Sequence, residues 1–207
     1  MPAFRLSYFD GPGRAEPIRI ALRISGIPFE DHRFKFPEFA QLRAEGAFPL
    51  GSVPVLEVDG QRFVQTGAIL RYIARIGDTS LYPSDPVAAL RVDSALDSFN
   101  DTLSTALVPS MFERDPQKKL AMRAELAAGP MARVFGYVEG LIASSGGPFV
   151  AGSSLSIADL VIAAQILQVR SGHLDGLSTE TLAPYTRMNA LADAYLADPR
   201  IVALAKK

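Results

Sequence analysis

Residues 51–76, GSVPVLEVDGQRFVQTGAILRYIARI, read as strand, tight turn, strand and helix. Val55 to Val58 is a β-favouring run, and Asp59-Gly60 is a two-residue hairpin signal. Arg62 to Gln65 makes the return strand, and Thr66 is placed to cap a helix. Ile69, Tyr72, Ile73 and Ile76 follow at the i, i+3, i+4, i+7 spacing of one helix face, and Gly77 stops the helix. Two features go beyond architecture. Val53-Pro54 opens the first strand, where a proline has no amide to give to a sheet. Gln65-Thr66-Gly67 sits at a strand-to-helix junction, where free N–H groups and the helix dipole favour an anion.

Toward the N-terminus, Phe4, Leu6 and Tyr8 alternate with Arg5 and Ser7, the pattern of a half-buried strand. Asp10 to Gly13 is a turn, and Arg14 begins a helix with Pro17 in its first turn and Gly26 at its end. Ile18, Ala21 and Leu22 share one face of it. Residues 29–34 suit a second strand, parallel to the first because a helix connects them. Residues 37–45 make a short irregular helix. The first 77 residues are thus expected to form βαβαββα, a small mixed sheet with helices.

Residues 78–86 (DTSLYPSDP) are turn-rich and read as a linker, and residues 87–207 read as all helix. One long helix is expected from Val87 to about Met111, and a second from Gln117 to Ser144, interrupted at Gly129-Pro130. The run from Leu160 to Val169 is apolar on most faces, so it should be a buried central helix. Ser156 and Asp159 before it have the spacing of a capping box. Residues 184–196 and 199–205 read as terminal helices.

The 207 residues are 48% apolar with a formal net charge of −1, which gives no electrostatic case for nucleic acid or an anionic membrane as partner. Cysteine is absent, so any thiol chemistry must use a thiol brought by a ligand. The two histidines, His32 and His173, are far apart, and no metal site is expected. No run of about 18 apolar residues suggests a membrane span. The opening MPAFRLSYFDGPGR lacks the apolar core of a signal peptide, so the expected location is the cytoplasm.

An α/β domain, a linker and an all-helical domain resemble the layout of the cytosolic glutathione transferases, in which a thioredoxin-like domain precedes an all-α helical bundle. The resemblance spans the chain. It rests on Tyr8-Phe9 with Gly13-Arg14 behind, Val53-Pro54, Gln65-Thr66, and Gly152 to Asp159. The first-strand tyrosine followed by GRAEPIR is similar to the sigma, pi and mu lineage, with sigma closest.

The resemblance implies a homodimeric enzyme of the tyrosine type that needs no cofactor and takes glutathione as co-substrate. Tyr8 would donate its O–H to the sulfur. A free cysteine thiol has a pKa of about 8.5, so only roughly 3% is thiolate at pH 7. Lowering that pKa by about 2 units needs about 2.7 kcal/mol, more than the ~1 kcal/mol of one neutral hydrogen bond. Positive potential from Arg14 and the helix start after it would supply the remainder. A cis Val53-Pro54 bond would present the Val53 N–H and C=O to the cysteinyl unit as an added strand does. Gln65 and Thr66 would hold the γ-glutamyl end. Phe39 and Arg43 stand where sigma-like members carry tryptophan and lysine. Arg43 can bind the glycyl carboxylate bidentately, whereas Phe39 has lost an indole N–H. Gly51 and Ser52 complete this edge.

Asp97 matches a position that reaches the partner subunit's glutathione. The stripe Asp93, Asp97, Asp101 reads equally as a solvated face or as part of a dimer interface. Phe9, Gly13, Leu103 and Val108 are candidates for the hydrophobic substrate pocket. The expected activity is conjugation of glutathione to small hydrophobic electrophiles, with isomerase or peroxidase chemistry open to the same thiolate. The alternative is a non-catalytic ligand-binding or crystallin-like member.

Overall fold

The structure is a computed structural model that describes residues 2–77 and 80–205, without the side chains of residues 103 and 104. Its elements divide between two compact units, Met1–Thr79 with Leu204–Lys207, and Ser80–Ala203.

In the first unit, β1 (Phe4–Phe9), α1 (Glu16–Ile24), β2 (Glu30–Phe34), α2 (Phe36–Ala44), β3 (Val55–Val58), β4 (Gln61–Val64) and α3 (Thr66–Ile76) run βαβαββα. The sheet order is β2-β1-β3-β4. β1 is parallel to β2 and antiparallel to β3, and β3 pairs with β4 through a two-residue turn. Asp59 and Gly60 both have positive φ (49° and 84°), as the tight hairpin turn favoured by an Asp-Gly pair requires. Alternation along β1 buries Phe4, Leu6 and Tyr8 on one face. α1 and α3 pack against each other. Leu6, Ile18, Leu22, Leu56, Ile69, Leu70 and Ile73 form a core here, each burial contributing about 1.5–3 kcal/mol.

Three local readings need correction. The return strand ends at Val64 rather than Gln65, because Gln65 has φ 75°, ψ 110° and leaves the ladder. For the same reason Gln65 takes the cap position of α3 and Thr66 is already helical; no side chain caps this helix. The buried stripe of α3 is Thr66, Gly67, Ile69, Leu70, Ile73 and Ala74, whereas Tyr72 and Ile76 are exposed. Gly77 ends the helix as expected, its N–H donating to the Ile73 carbonyl at 3.0 Å.

Residues 78 and 79 of the expected linker lie outside the described residues. Leu81 of the same segment is fully buried, and its carbonyl accepts the Ile157 N–H at 2.9 Å, so this part is docked on the second unit. The second unit holds α4 (Pro86–Thr102), α5 (Val108–Phe112), α6 (Pro116–Leu126), α7 (Ala132–Ala143), α8 (Ile157–Arg170), α9 (Thr179–Leu182) and α10 (Thr186–Ala197); α11 is Pro199–Ala205. The expected helix from 87 to 111 is interrupted by a π-helical turn, Leu103–Leu107, just before Pro109. A second π-helical turn, Ala127–Met131, contains Pro130. A proline removes a donor and clashes with the preceding turn, and widening the helix accommodates both. The short α9 was not anticipated.

Helix α8 is buried on nearly every face. Its capping box is formed: Asp159 accepts from Ser156 N at 2.7 Å, Ser156 Oγ at 2.6 Å and Val150 N at 2.9 Å. Burial pushes the Asp159 carboxyl up to about 6, against the downward pull of those bonds.

Candidate active site

Tyr8 ends the buried face of β1, with its residue 9% exposed. Its hydroxyl accepts the Arg14 N–H at 3.1 Å, which leaves the phenol proton for an outside acceptor. The ring sits edge-on to Phe9 at 5.5 Å and 5.9 Å from the Arg19 guanidinium carbon. The chain returns from Tyr8 to Arg14 through a single turn of 3₁₀ helix, Gly13–Ala15. Gly13 has φ +42°, and a Cβ built on it would lie 2.5 Å from Tyr8 Oη. Gly13, expected in the substrate pocket, is seen here in a steric role: only a hydrogen at that position lets the phenol hydroxyl and the loop approach so closely.

Arg14 joins this element to the next. Its Nη2 donates to the Val53 carbonyl at 2.6 Å, and its Nε is buried without a hydrogen-bond partner. The Val53-Pro54 bond is cis, and both residues are buried. Among the described hydrogen bonds the Val53 N–H makes none, so it remains available beside a carbonyl that Arg14 already holds. Gly51, with φ +62°, lies under the guanidinium of exposed Arg43, and Ser52 is exposed beside it.

Gln65 follows β4 with φ 75°, a left-handed backbone that costs about 1–3 kcal/mol for a residue with a side chain. That backbone turns the chain directly into α3. Ile69 N donates to Gln65 O at 3.0 Å as the first helical bond, so the N–H groups of Thr66, Gly67 and Ala68 precede the ladder. The junction is a concentration of donors at a positive helix end, suited to a carboxylate. The strain at Gln65 carried no sequence signal.

Phe39 enters an aromatic cluster. Its ring lies 5.1 Å from Phe9, 5.3 Å from Phe48, and 6.2 Å from both Phe34 and Phe36. Phe9 adds contacts to Phe34 at 5.4 Å and, stacked, to Phe36 at 5.8 Å. Phe39 thus packs where a hydrogen bond would otherwise be sought, and Phe9 is a wall of this cluster as well as a pocket candidate. In the second unit, Asp97 is exposed on α4 and Val108 is half-buried at the start of α5. The Leu103 side chain lies outside the described residues. Asp93 of the acidic stripe accepts the Tyr82 hydroxyl at 2.7 Å.

Sequence reasoning passed over Arg19, whose side chain is fully buried beneath the Tyr8 ring. Its place in GRAEPIR, one residue from the Ile18 face, was the available signal. Among the described residues, no group of three or more His, Cys, Asp or Glu is placed to hold a metal ion, and no helix is long and apolar enough to cross a membrane.

Known proteins provide an independent measure. Residues 5–75 match the family model described as Glutathione S-transferase, N-terminal domain, and residues 100–207 match Glutathione S-transferase, C-terminal domain. Glutathione S-transferase 1 of Ascaris suum is 33% identical over 166 residues, covering 78% of each chain. Glutathione S-transferase alpha-3 of Rattus norvegicus is 33% identical over 191 residues, 90% of this chain and 80% of that one. Among solved structures, prostaglandin synthase D of Nilaparvata lugens superposes with a TM-score of 0.83 at 28% identity, covering 100% of this chain and 98% of that chain. The glutathione S-transferase of Ascaris lumbricoides gives 0.80 at 28% identity, covering 99% and 97%. With a donor-rich helix start, a cis-proline edge and a strand-end tyrosine on a thioredoxin-like domain followed by a helical one, and with both family models matched, the chain belongs to the glutathione S-transferases.

Proposed function

We propose that this glutathione transferase activates glutathione as the thiolate through Tyr8, for attack on small hydrophobic electrophiles. The observation that carries the proposal is the double reach of Arg14. Its N–H meets the Tyr8 hydroxyl at 3.1 Å and its guanidinium meets the Val53 carbonyl at 2.6 Å. The proposed activator and the proposed peptide-binding edge are thereby held together. The Val53 N–H and C=O pair with the cysteinyl unit, the start of α3 with Gln65 and Thr66 takes the γ-glutamyl carboxylate, and Arg43 over Gly51 and Ser52 takes the glycyl carboxylate. The sulfur then lies toward Tyr8, whose O–H donates to it. The Arg14 guanidinium, held on the Val53 carbonyl, adds positive potential beside that edge. A charge-assisted bond from Tyr8 to the thiolate, about 1.5–3 kcal/mol, together with that potential covers the ~2.7 kcal/mol needed to place the thiol pKa near 6.5.

Phe9 and Gly13 flank Tyr8 on the electrophile's side, Leu103 and Val108 stay candidates from the sequence, and the enzyme acts as a cytoplasmic homodimer in which Asp97 reaches the partner's glutathione. Within the family we place it in the tyrosine type, sigma-like, on the first-strand tyrosine and GRAEPIR. The likeness to a solved prostaglandin synthase supports isomerase chemistry as a side activity.

Conjugation of glutathione to a generic aryl halide tests this. Tyr8→Phe should lower kcat/KM by at least 10-fold while retention on glutathione resin persists. Equal activity in the variant removes Tyr8 from the mechanism, and an inactive wild type that still binds the resin makes the protein a binding member of the family.

A further inference from the structure

Arg19 has a fully buried side chain in a fold that leaves most arginines half in water. Its Nε donates to both Asp31 oxygens, at 3.0 and 3.1 Å. Its Nη1 donates to Gly11 O at 2.7 Å, Pro12 O at 3.3 Å and Glu16 Oε2 at 3.2 Å, and Nη2 reaches Phe9 O at 3.5 Å. The three carbonyls belong to the loop that carries the chain from Tyr8 to Gly13-Arg14. One planar fork therefore ties that loop to α1 through Glu16 and to β2 through Asp31. A buried arginine persists only when its donors are satisfied, and here two carboxylates and three carbonyls satisfy them.

The geometry points to Arg19 as a positioning residue for glutathione activation: its guanidinium holds the 9–12 loop so that the Arg14 N–H stays on the Tyr8 hydroxyl. This rests on the reading that Tyr8 donates to the thiolate. An N–H donated to the phenol oxygen polarises its O–H and strengthens the bond it donates onward. Loosening the loop weakens that donation and raises the pKa of bound glutathione. Lysine keeps the charge but not the fork, so it cannot hold Asp31 and the loop carbonyls together. Loss of Arg19 does not orphan Asp31, because Arg33 also donates to it, Nε at 2.9 Å and Nη2 at 2.8 Å.

The test is a titration of enzyme-bound glutathione, followed by the ultraviolet absorbance of its thiolate, for wild type, Tyr8→Phe, Arg19→Lys and Asp31→Asn. Arg19→Lys is expected to raise the apparent thiol pKa by about 0.7 pH unit, the worth of one neutral hydrogen bond, and to move the acidic limb of kcat/KM with it. Its affinity for glutathione should change less than about threefold, because Gln65 and Thr66 are untouched. Asp31→Asn leaves the fork one acceptor oxygen and should move the titration the same way by less. If Arg19→Lys does not fold, the Asp31→Asn titration decides, a shift supporting the proposal and an unmoved curve overturning it. An unmoved titration in a folded Arg19→Lys, with Tyr8→Phe shifted, refutes the positioning role alone; unmoved titrations in both refute the reading of Tyr8 beneath it. A purely structural Arg19 would lower Tm and leave the titration where it was.

Discussion

Replacing Gly13 with alanine puts a methyl group in place of a hydrogen at the tightest point of the site. The new Cβ would lie 2.5 Å from Tyr8 Oη, 2.8 Å from Cε1 and 3.0 Å from Cζ. An ordinary carbon–oxygen contact is about 3.3 Å or more, so something must move by about 0.8 Å. The ring is confined by Phe9 and by Arg19 beneath it, and the loop is confined by Arg19 and by the Arg14–Val53 bond. The displacement therefore falls on the bond from Arg14 N to Tyr8 Oη. That bond is 3.1 Å, and lengthening it by a comparable amount abolishes it. The backbone adds to the cost, because Gly13 has φ +42° and alanine in the left-handed region is disfavoured by about 1–2 kcal/mol. We expect Gly13→Ala to lose about 1–3 kcal/mol of stability. Its kcat should fall about 10²-fold, the scale associated with a 1 Å misplacement of a reacting group. Glutathione affinity should hold within a few-fold, since the helix start of α3 is not touched. The assay is steady-state conjugation with a generic aryl halide, run well below the melting temperature measured for each protein by calorimetry. A folded Gly13→Ala enzyme with kcat within threefold of wild type would refute the close approach and the role built on it.

Two other outcomes follow from the packing. Truncation of Phe39 to leucine should lower stability by about 1–2 kcal/mol through lost aromatic contacts to Phe9, Phe34 and Phe48, while the KM for glutathione changes less than about threefold; a KM raised tenfold at unchanged Tm would return Phe39 to ligand binding. Asp159 gives a pH dependence: its carboxyl titrates near 3.8 when unfolded and about 6 when folded, so the native state holds the proton more tightly. Its stabilising contribution is complete below about pH 4 and is lost as pH rises through about 6, at about 1.4 kcal/mol per pH unit and so about 3 kcal/mol in all. Relative to Asp159→Asn, the unfolding free energy of wild type from urea titrations should fall by that amount between pH 4 and 7, and a constant difference would show that the carboxyl is not raised.

The sequence made legible what depends on periodicity and on turn chemistry. Alternation in β1, the Asp59-Gly60 turn and the apolar run of α8 each specify one local structure, because each buries or bends the chain in a way no other conformation allows. The capping box of Ser156 and Asp159 was legible for the same reason, its bonds being local. What escaped was set by tertiary geometry. The left-handed backbone at Gln65 belongs to a residue with no preference for it, so only the demand that β4 turn at once into α3 explains it. The exposure of Tyr72 and Ile76 followed from which side of α3 meets α1, and spacing alone gives a face without saying where its edges lie. Arg19 had no part in the reading of α1; its burial depends on Asp31, which lies on β2, and on carbonyls of a loop whose path no periodicity records.

The two arginines of GRAEPIR divide between them tasks that a single charge could not perform. Arg14 keeps one donor open, a buried Nε without a hydrogen-bond partner among the described residues, while its Nη2 holds the Val53 carbonyl. A guanidinium that fixes a loop needs a partner on each nitrogen, and Arg19 has carboxylates and carbonyls on all three. The second makes the first possible. A loop loose enough to let Arg14 find other partners would satisfy Nε internally, because a buried unpaired donor is costly and relaxes wherever the backbone permits. Arg14 also spans the Tyr8 hydroxyl and the Val53 carbonyl, so a peptide pairing with Val53 acts on the residue that orients the phenol. On the proposed reading, binding and activation are therefore coupled through one residue, by its backbone N–H on one side and its guanidinium on the other.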